Sequence, residues 1–260
     1  MSGKLKVERK VGWVKPDPKI AFTLAEVLIT LGIIGVVASL TMPTLIQKTT
    51  EQRTISQLSK TYSTLSQAWQ RMETEYGTID TWGISDTYLG KDDDGNNILD
   101  YSANQLIAKR LREFLKVVKV CKTGEYCPAE KGYYLNGTEG ISKPLSADEE
   151  GLNFYLNDGT FVGLGWYNTP HNNMDFNVIL PHSKNIVLGK NQFYFTAMPN
   201  RIVPEGAPDT FTSMGFSYCN PNSSKSNTGR GCTAWVIYNR NMDYLHCRDK
   251  LDWKTKTSCK

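Results

Sequence analysis

The chain carries no familiar catalytic signature. It has no H-E-x-x-H, no P-loop, no G-x-G-x-x-G and no nucleophile elbow. Histidine is scarce: His171, His182 and His246 are the whole supply, and only His246 neighbours a cysteine, Cys247. That cysteine has a nearer use in a bridge, so a Cys–His nucleophile is set aside. Neither enzymatic activity nor a cofactor is expected. Metal ligands are also poorly spaced. Cys121 and Cys127 have five residues between them, wider than the usual zinc spacing, and no C-x-x-C occurs. In "KDDDGNNILD", aligning Asp92, Asp94 and Asn96 with a calcium loop puts Asn97 where Gly is required and supplies no final Glu. A solvated turn is expected there instead.

A distributed basic field is missing too. The formal charge is +4, and residues 1–21 hold six basic and two acidic side chains, which is the whole excess. The remaining residues hold 24 of each sign. Nothing in that neutral part attracts phosphates, so a nucleic-acid partner is not expected. A basic leader before an apolar run is instead a topology signal, with the positive charge kept on the cytoplasmic side.

Charge is nearly absent from one stretch. From Phe22 to Ile46 the only ionisable side chain is Glu26. As a helix these residues reach roughly 37 Å, enough to cross a bilayer. An acid at mid-membrane costs about 2.5–3.5 kcal/mol, less near one end, so Glu26 implies a partner. Cleavage between Ala21 and Phe22 would create one. The new α-amino group is positive at neutral pH and lies four residues from Glu26, on the same helix face. The macrodipole also favours an acid in the first turn. If the amine belongs to a neighbouring subunit, the pair sets axial register between chains.

Phe22, Thr23, Leu24, Ala25, Glu26, Val27 and Leu28, preceded by a short basic leader, closely resemble the start of type IV pilins and type II secretion pseudopilins. Gly32, Gly35 and Pro43 fit the same family's helix, Pro43 falling where many members carry a kinking proline. One residue departs from the pattern: Ala21 stands where the family has Gly before the cut. The resemblance implies cleavage between Ala21 and Phe22 by a prepilin peptidase, N-methylation of Phe22, and a role for Glu26 in assembly. Two other readings exist, a secretory signal cut near Ala38 and Ser39 and an uncleaved anchor. Both leave Phe-Thr-Leu, Glu26 and Pro43 without a purpose.

Beyond the apolar run, Ile55, Leu58, Tyr62, Leu65, Trp69, Met72 and Tyr76 recur at alternating spacings of three and four. This is a helical stripe, read as the seat of a globular head and ended by Gly77. "SANQLIAKRLREFLKVVKVC" predicts a second amphipathic helix ending near Cys121, with Leu106, Ile107, Leu111, Phe114, Leu115 and Val118 as its apolar set. Asn157-Asp158-Gly159 between two β-rich runs predicts a hairpin. "FNVIL", "NIVLG", "QFYFTAM" and "TAWVIYN" read as further strands.

All six cysteines follow the apolar run, which fits an oxidising compartment. They allow fifteen connectivities. Nearest-neighbour pairing, Cys121–Cys127, Cys219–Cys232 and Cys247–Cys259, is the expectation carried forward. A bridge across the polar "NPNSSKSNTGRG" loop is worth about 3 kcal/mol by loop entropy. Many pilins staple a C-terminal loop in this way and expose it on the fibre.

The expected architecture is α+β: a long N-terminal helix, membrane-spanning in its first half, packed on an antiparallel β-sheet head with a disulfide-stapled C-terminal region. The expected parts are a leader (1–21), a transmembrane and assembly helix (22–46), its amphipathic continuation (47–78) and the head (79–260). The expected function is a filament subunit, pilin or pseudopilin, held in the inner membrane with its leader cytoplasmic and its head periplasmic. It would later enter a cell-surface or periplasmic filament. Its partners would be its own copies and other pilin-like subunits, the prepilin peptidase, the inner-membrane assembly platform and the lipid bilayer. The alternative is an anchored, exported binding or adhesin domain that does not polymerise.

Overall fold

A computed structural model of the chain describes residues 23–122, 125, 127, 131–140, 151–181, 185–208, 210 and 214–260. The expected cut between Ala21 and Phe22 lies outside these residues, as does His182. The fold is α+β. The chain forms two compact units, Met1–Lys48 and Thr49–Lys260, and the 53-residue helix α1 (Leu24–Tyr76) contributes to each.

In the second unit α1 buries the predicted stripe. Ile55, Leu58, Leu65, Trp69 and Met72 are buried, while Tyr62 and Tyr76 are partly buried against the same core. Each such aliphatic or aromatic side chain contributes about 1.5–3 kcal/mol when fully removed from water. Gly77 ends the helix in the left-handed region, at φ 81°. The Trp82 indole donates to the freed Tyr76 carbonyl at 3.0 Å.

The stripe packs on a six-stranded, wholly antiparallel sheet. Its strands are β3 (Val117–Val120), β6 (Asn153–Leu156), β7 (Phe161–Asn168), β8 (Asn173–Ile179), β10 (Gln192–Met198) and β11 (Arg201–Pro204), in spatial order β11-β10-β8-β7-β6-β3. Trp69 meets Phe176 edge-on at 5.7 Å, and Tyr62 stacks on Phe195 at 5.5 Å. The Trp69 indole and the Tyr62 hydroxyl donate to the Met198 and Ile202 carbonyls, at 3.0 and 3.2 Å. The smaller pieces are a hairpin of β1 (Tyr88–Lys91) and β2 (Asn97–Leu99), the helix α2 (Ser102–Arg112), and a sheet of β4 (Gly132–Tyr133), β5 (Glu139–Gly140) and β9 (Ile186–Val187). Two short helices follow, α3 (Thr233–Asn239) and α4 (Tyr244–Cys247).

The Asn157-Asp158-Gly159 hairpin joins β6 to β7, pairing Tyr155 with Phe161. Two expectations are corrected, and a third holds over a shorter span. The second amphipathic helix stops at Arg112, and Val117–Val120 form strand β3 instead, paired with β6. Their β-branched side chains favour that pleated surface. Consequently Val118 is exposed and Leu106 only half-buried, while Ala103, Asn104 and Ala108 take core places. "NIVLG" yields only the two-residue β9, parallel to β4. "TAWVIYN" is the helix α3, not a strand. Thr233 to Ile237 are all buried, so no alternation existed to distinguish helix from strand. Left-handed Arg240 closes the helix, and Trp235 stacks on Phe216 at 4.4 Å.

The structure pairs Cys121 with Cys127, Cys219 with Cys232 and Cys247 with Cys259. The loop held by Cys219–Cys232 is only partly a surface feature. Ser224, Lys225 and Ser226 are exposed, but Thr228 and Gly231 are buried. The loop's end lies against the face of the sheet opposite α1, because Tyr194 and Thr196 alternate with the α1-facing Phe195. There Arg230 stacks over Tyr194 at 4.5 Å and pairs with Asp175 and with Glu205, the latter at 3.3 Å. Gly231 sits so close to Gly215 that a Cβ would fall 2.1 Å from the Gly215 carbonyl oxygen.

Glu205 is fully buried. Its carboxylate accepts from the Thr196 hydroxyl at 3.1 Å and the Met214 backbone N–H at 2.9 Å. Burial pushes its pKa above the ordinary 4.5, only partly offset by the Arg230 charge. A raised carboxylate pKa means that the folded state holds the proton more tightly than the unfolded state. Its stabilising contribution is complete below about pH 4.5 and is lost as pH rises through the folded pKa.

Two measurements on the detergent-solubilised full chain check this packing. Gly231→Ala should destabilise the head by about 1–3 kcal/mol in urea unfolding. Gly215→Ala, where a Cβ meets nothing within 4 Å, should change it by less than about 0.5 kcal/mol. Between acidic and neutral pH, the stability of Glu205→Gln relative to the unaltered chain should shift in favour of the variant. A difference independent of pH would remove the assigned burial effect.

Candidate functional site: an apolar helix with an acidic first turn

The first unit presents one described element, the leading part of α1. Among its described residues every one is exposed except Ala38, which is half-buried. Its large apolar side chains range from 40% exposed at Val27 to 78% at Leu24. The helix is long and apolar enough to cross a membrane, with a mean hydropathy of 2.1 over its best window. A surface of this extent is not stable in water and marks contact with lipid or protein.

Between Thr30 and Thr44 its hydroxyl side chains are satisfied within the helix. The hydroxyls of Thr30, Ser39, Thr41 and Thr44 donate to the Val27, Val36, Val37 and Thr41 carbonyls at 2.8–3.0 Å. Internal pairing of this kind lets hydroxyl groups enter an apolar solvent. Pro43 lies inside α1, and Ser39, Thr41 and Thr44 surround it. Proline has no N–H for the Ser39 carbonyl four residues before it, and the neighbouring hydroxyls serve the Val36, Val37 and Thr41 carbonyls instead.

Glu26 sits in the first turn. Its Oε2 accepts both the Thr23 backbone N–H and the Thr23 hydroxyl, each at 2.8 Å. The Glu26 backbone N–H donates back to Thr23 Oγ1 at 3.2 Å. This is a reciprocal capping box, and it satisfies donors that a helix start would otherwise expose. The signal, Thr-x-x-Glu, stands openly in Thr23-Leu24-Ala25-Glu26. Sequence reasoning gave Glu26 a charged partner and overlooked this neutral one. The two roles are compatible in geometry, since the cap occupies Oε2 and leaves Oε1 to accept a cation. Thr23 keeps an ordinary peptide N–H whether or not the chain is cut before Phe22, so cleavage does not remove the cap.

Of the other predicted site residues, the six cysteines lie in the second unit as structural bridges. Cys121–Cys127 packs with Phe161, Ile179 and Ile186 in a small satellite core. Cys247 is bonded to Cys259, and its neighbour His246 faces Glu51 on α1, with Nε2 2.9 Å from Oε1. Among the described residues no group of three or more His, Cys, Asp or Glu side chains is placed to hold a metal ion. The Asp92 region is the β1–β2 turn, where Asp92 Oδ1 accepts the Asp94 and Asn96 backbone N–H groups at 3.0 and 2.7 Å.

Residues 44–236 match the model of a family described as "Family of unknown function (DUF6613)", and the chain belongs to that family. The match starts just after Pro43, so it takes in the later part of α1 and most of the head and leaves out Phe22–Pro43. No curated protein and no solved structure matches the chain.

The capping box is open to direct test. Thr23→Ala should cost the helix start about 1 kcal/mol and speed amide exchange at Glu26 by about five-fold. Thr23→Ser should leave it near the original rate. Hydrogen–deuterium exchange with mass spectrometry on the full chain in lipid nanodiscs reads both, and equal exchange in all three would contradict the cap.

Proposed function

We propose that this member of DUF6613 is a structural filament subunit, a pilin or pseudopilin of a type IV pilus or a type II secretion-like filament. In this reading it is made in the inner membrane, cut between Ala21 and Phe22 by a prepilin peptidase, methylated on Phe22, and assembled through its N-terminal helix. The leader faces the cytoplasm and the head the periplasm. The subunit then passes from lipid into a periplasmic or cell-surface filament. It performs no catalysis and needs no cofactor.

One observation carries the proposal. A continuous helix presents an all-round apolar surface with a single acid in its first turn, and then becomes the core helix of a disulfide-bonded head. An ordinary anchor needs the apolar surface and gains from the cap, but a neutral acceptor would cap the helix equally well, so the charge itself, which is costly in lipid, gains it nothing. A subunit that exchanges lipid for neighbouring helices does gain. The open Oε1 of Glu26 can meet the α-amino group of Phe22, its own or a neighbour's, and an unmatched acid would penalise any other register. The resemblance of Phe22–Leu28 to pilin starts points the same way.

The test is the mature chain. Mass spectrometry should find N-methyl-Phe22 as the first residue, and Glu26→Ala should remain in membranes while its yield in sheared filaments falls at least ten-fold. An intact Met1, or normal incorporation of the variant, would instead favour an anchored binding domain that does not polymerise.

A further inference from the structure

We infer that the β1–β2 hairpin of one head docks on the basic C-terminal segment of a second copy, residues 240–260, in a head-to-tail contact. This contact presupposes the filament reading above and gives it two specific surfaces on the head. Both surfaces lie in the second unit.

The hairpin keeps its apolar side chains in water. Tyr88, Leu89, Ile98 and Leu99, with Trp166 of β7, are 37–54% exposed. Tyr88 pairs with Leu99 across the hairpin, and its ring lies parallel to that of Trp166, with centroids 6.3 Å apart. The side chains therefore gather into one patch. A two-stranded ribbon has little stability of its own and normally buries an apolar face. Leaving that face exposed marks a surface for contact with another protein.

Charge identifies the occupant. Residues 79–100 hold six acidic side chains and one basic. Residues 240–260 hold six basic and three acidic. The rest of the second unit is nearly balanced, with 16 basic and 14 acidic side chains in residues 49–78 and 101–239. Asp93 and Asp94 at the hairpin tip are exposed, and so are Lys250, Lys254 and Lys260. Among the described residues none of these five is in an ion pair. Beside the basic segment stands an exposed aromatic, Tyr238, edge-on to Trp253 at 6.3 Å. The segment thus complements the hairpin in charge and also offers it an apolar contact.

Position sets the direction. His246 is held to Glu51 at 2.9 Å and Arg240 to the Ser59 hydroxyl at 3.1 Å, so the basic segment is tied to residues 51–59 of α1. The hairpin follows the other end of that helix, beyond Tyr76. There Asp86 accepts the Thr169 hydroxyl and Thr87 accepts the Tyr167 N–H, each at 2.8 Å. Ser59 and Tyr76 are 17 residues apart, about 25 Å along a helix. A two-fold contact of hairpin with hairpin would set Asp93 and Asp94 against their own copies, which like charges oppose. A head-to-tail contact avoids that repulsion, and where its rotation does not close it continues as an open filament.

The test uses the full chain in sheared filaments, with a photo-reactive phenylalanine analogue in place of Leu89. Irradiation should join copies, and mass spectrometry should place the adduct within residues 238–260 of the second copy. Asp93→Lys with Asp94→Lys should lower the adduct about five-fold. Adding Lys250→Glu and Lys254→Glu to the same chain should restore it to within about two-fold, a rescue that damage to the hairpin would not allow. Filaments in which position 89 joins another part of the chain, another protein or nothing would overturn the inference and leave the filament reading standing. Failure of the second pair of reversals to rescue would do the same. A processed chain that never enters sheared filaments would overturn the filament reading, and this contact with it.

Discussion

A single helix in this protein must satisfy two solvents. The constraint is set by side chains alone: up to Ile46 they are apolar on every face, and from Ile55 to Tyr76 they are apolar on one. The second part finds its partner within the chain, in the sheet face built by Phe176, Phe193 and Phe195. Among the described residues the first part finds none, and it needs one from outside. Lipid can supply it, and so can the equivalent helices of other subunits. The two environments are similar enough in polarity for a helix to pass between them at small cost, provided that its polar groups are already satisfied. The internally paired hydroxyls near Pro43 and the capping box at Thr23 and Glu26 meet that condition.

Much of the fold was legible because it rests on periodicity. The α1 stripe, the Asn-Asp-Gly hairpin and the strands at Phe176 and Phe193 have unambiguous spacing, and each occupies its expected place. The misread stretches lacked that signal. Thr233–Ile237 is buried on all sides, so its pattern fits helix and strand alike. Val117–Val120 continues the apolar spacing of α2 in sequence, and only pairing with β6 decides its state. The polar loop before Cys232 looked like surface by composition. Its last residues are buried because Arg230 finds Asp175 and Glu205, and because glycine allows the backbone to approach closely. Such compensation between distant residues leaves no local trace.

The candidate site was legible in a different sense. Glu26 stood out because it is costly, and the cost pointed to a missing cation. The structure adds a partner that was equally visible, the threonine three residues before it. The cap accounts for the stability of the helix start, and by itself it does not require a carboxylate. Asn or Gln could accept the same bonds without a charge in lipid. The retention of a full charge where a neutral acceptor would suffice is what points beyond the single chain, toward an amine on a cut N-terminus.

The central claim is that the apolar half of α1 is a contact between copies of this chain. A photo-reactive phenylalanine analogue in place of Leu40, activated in living cells, tests it most directly. The account predicts a ladder of dimers, trimers and higher multimers of the chain, collapsing to monomer when assembly is blocked upstream. Adducts with lipid alone, under conditions where the chain is fully processed, would contradict it.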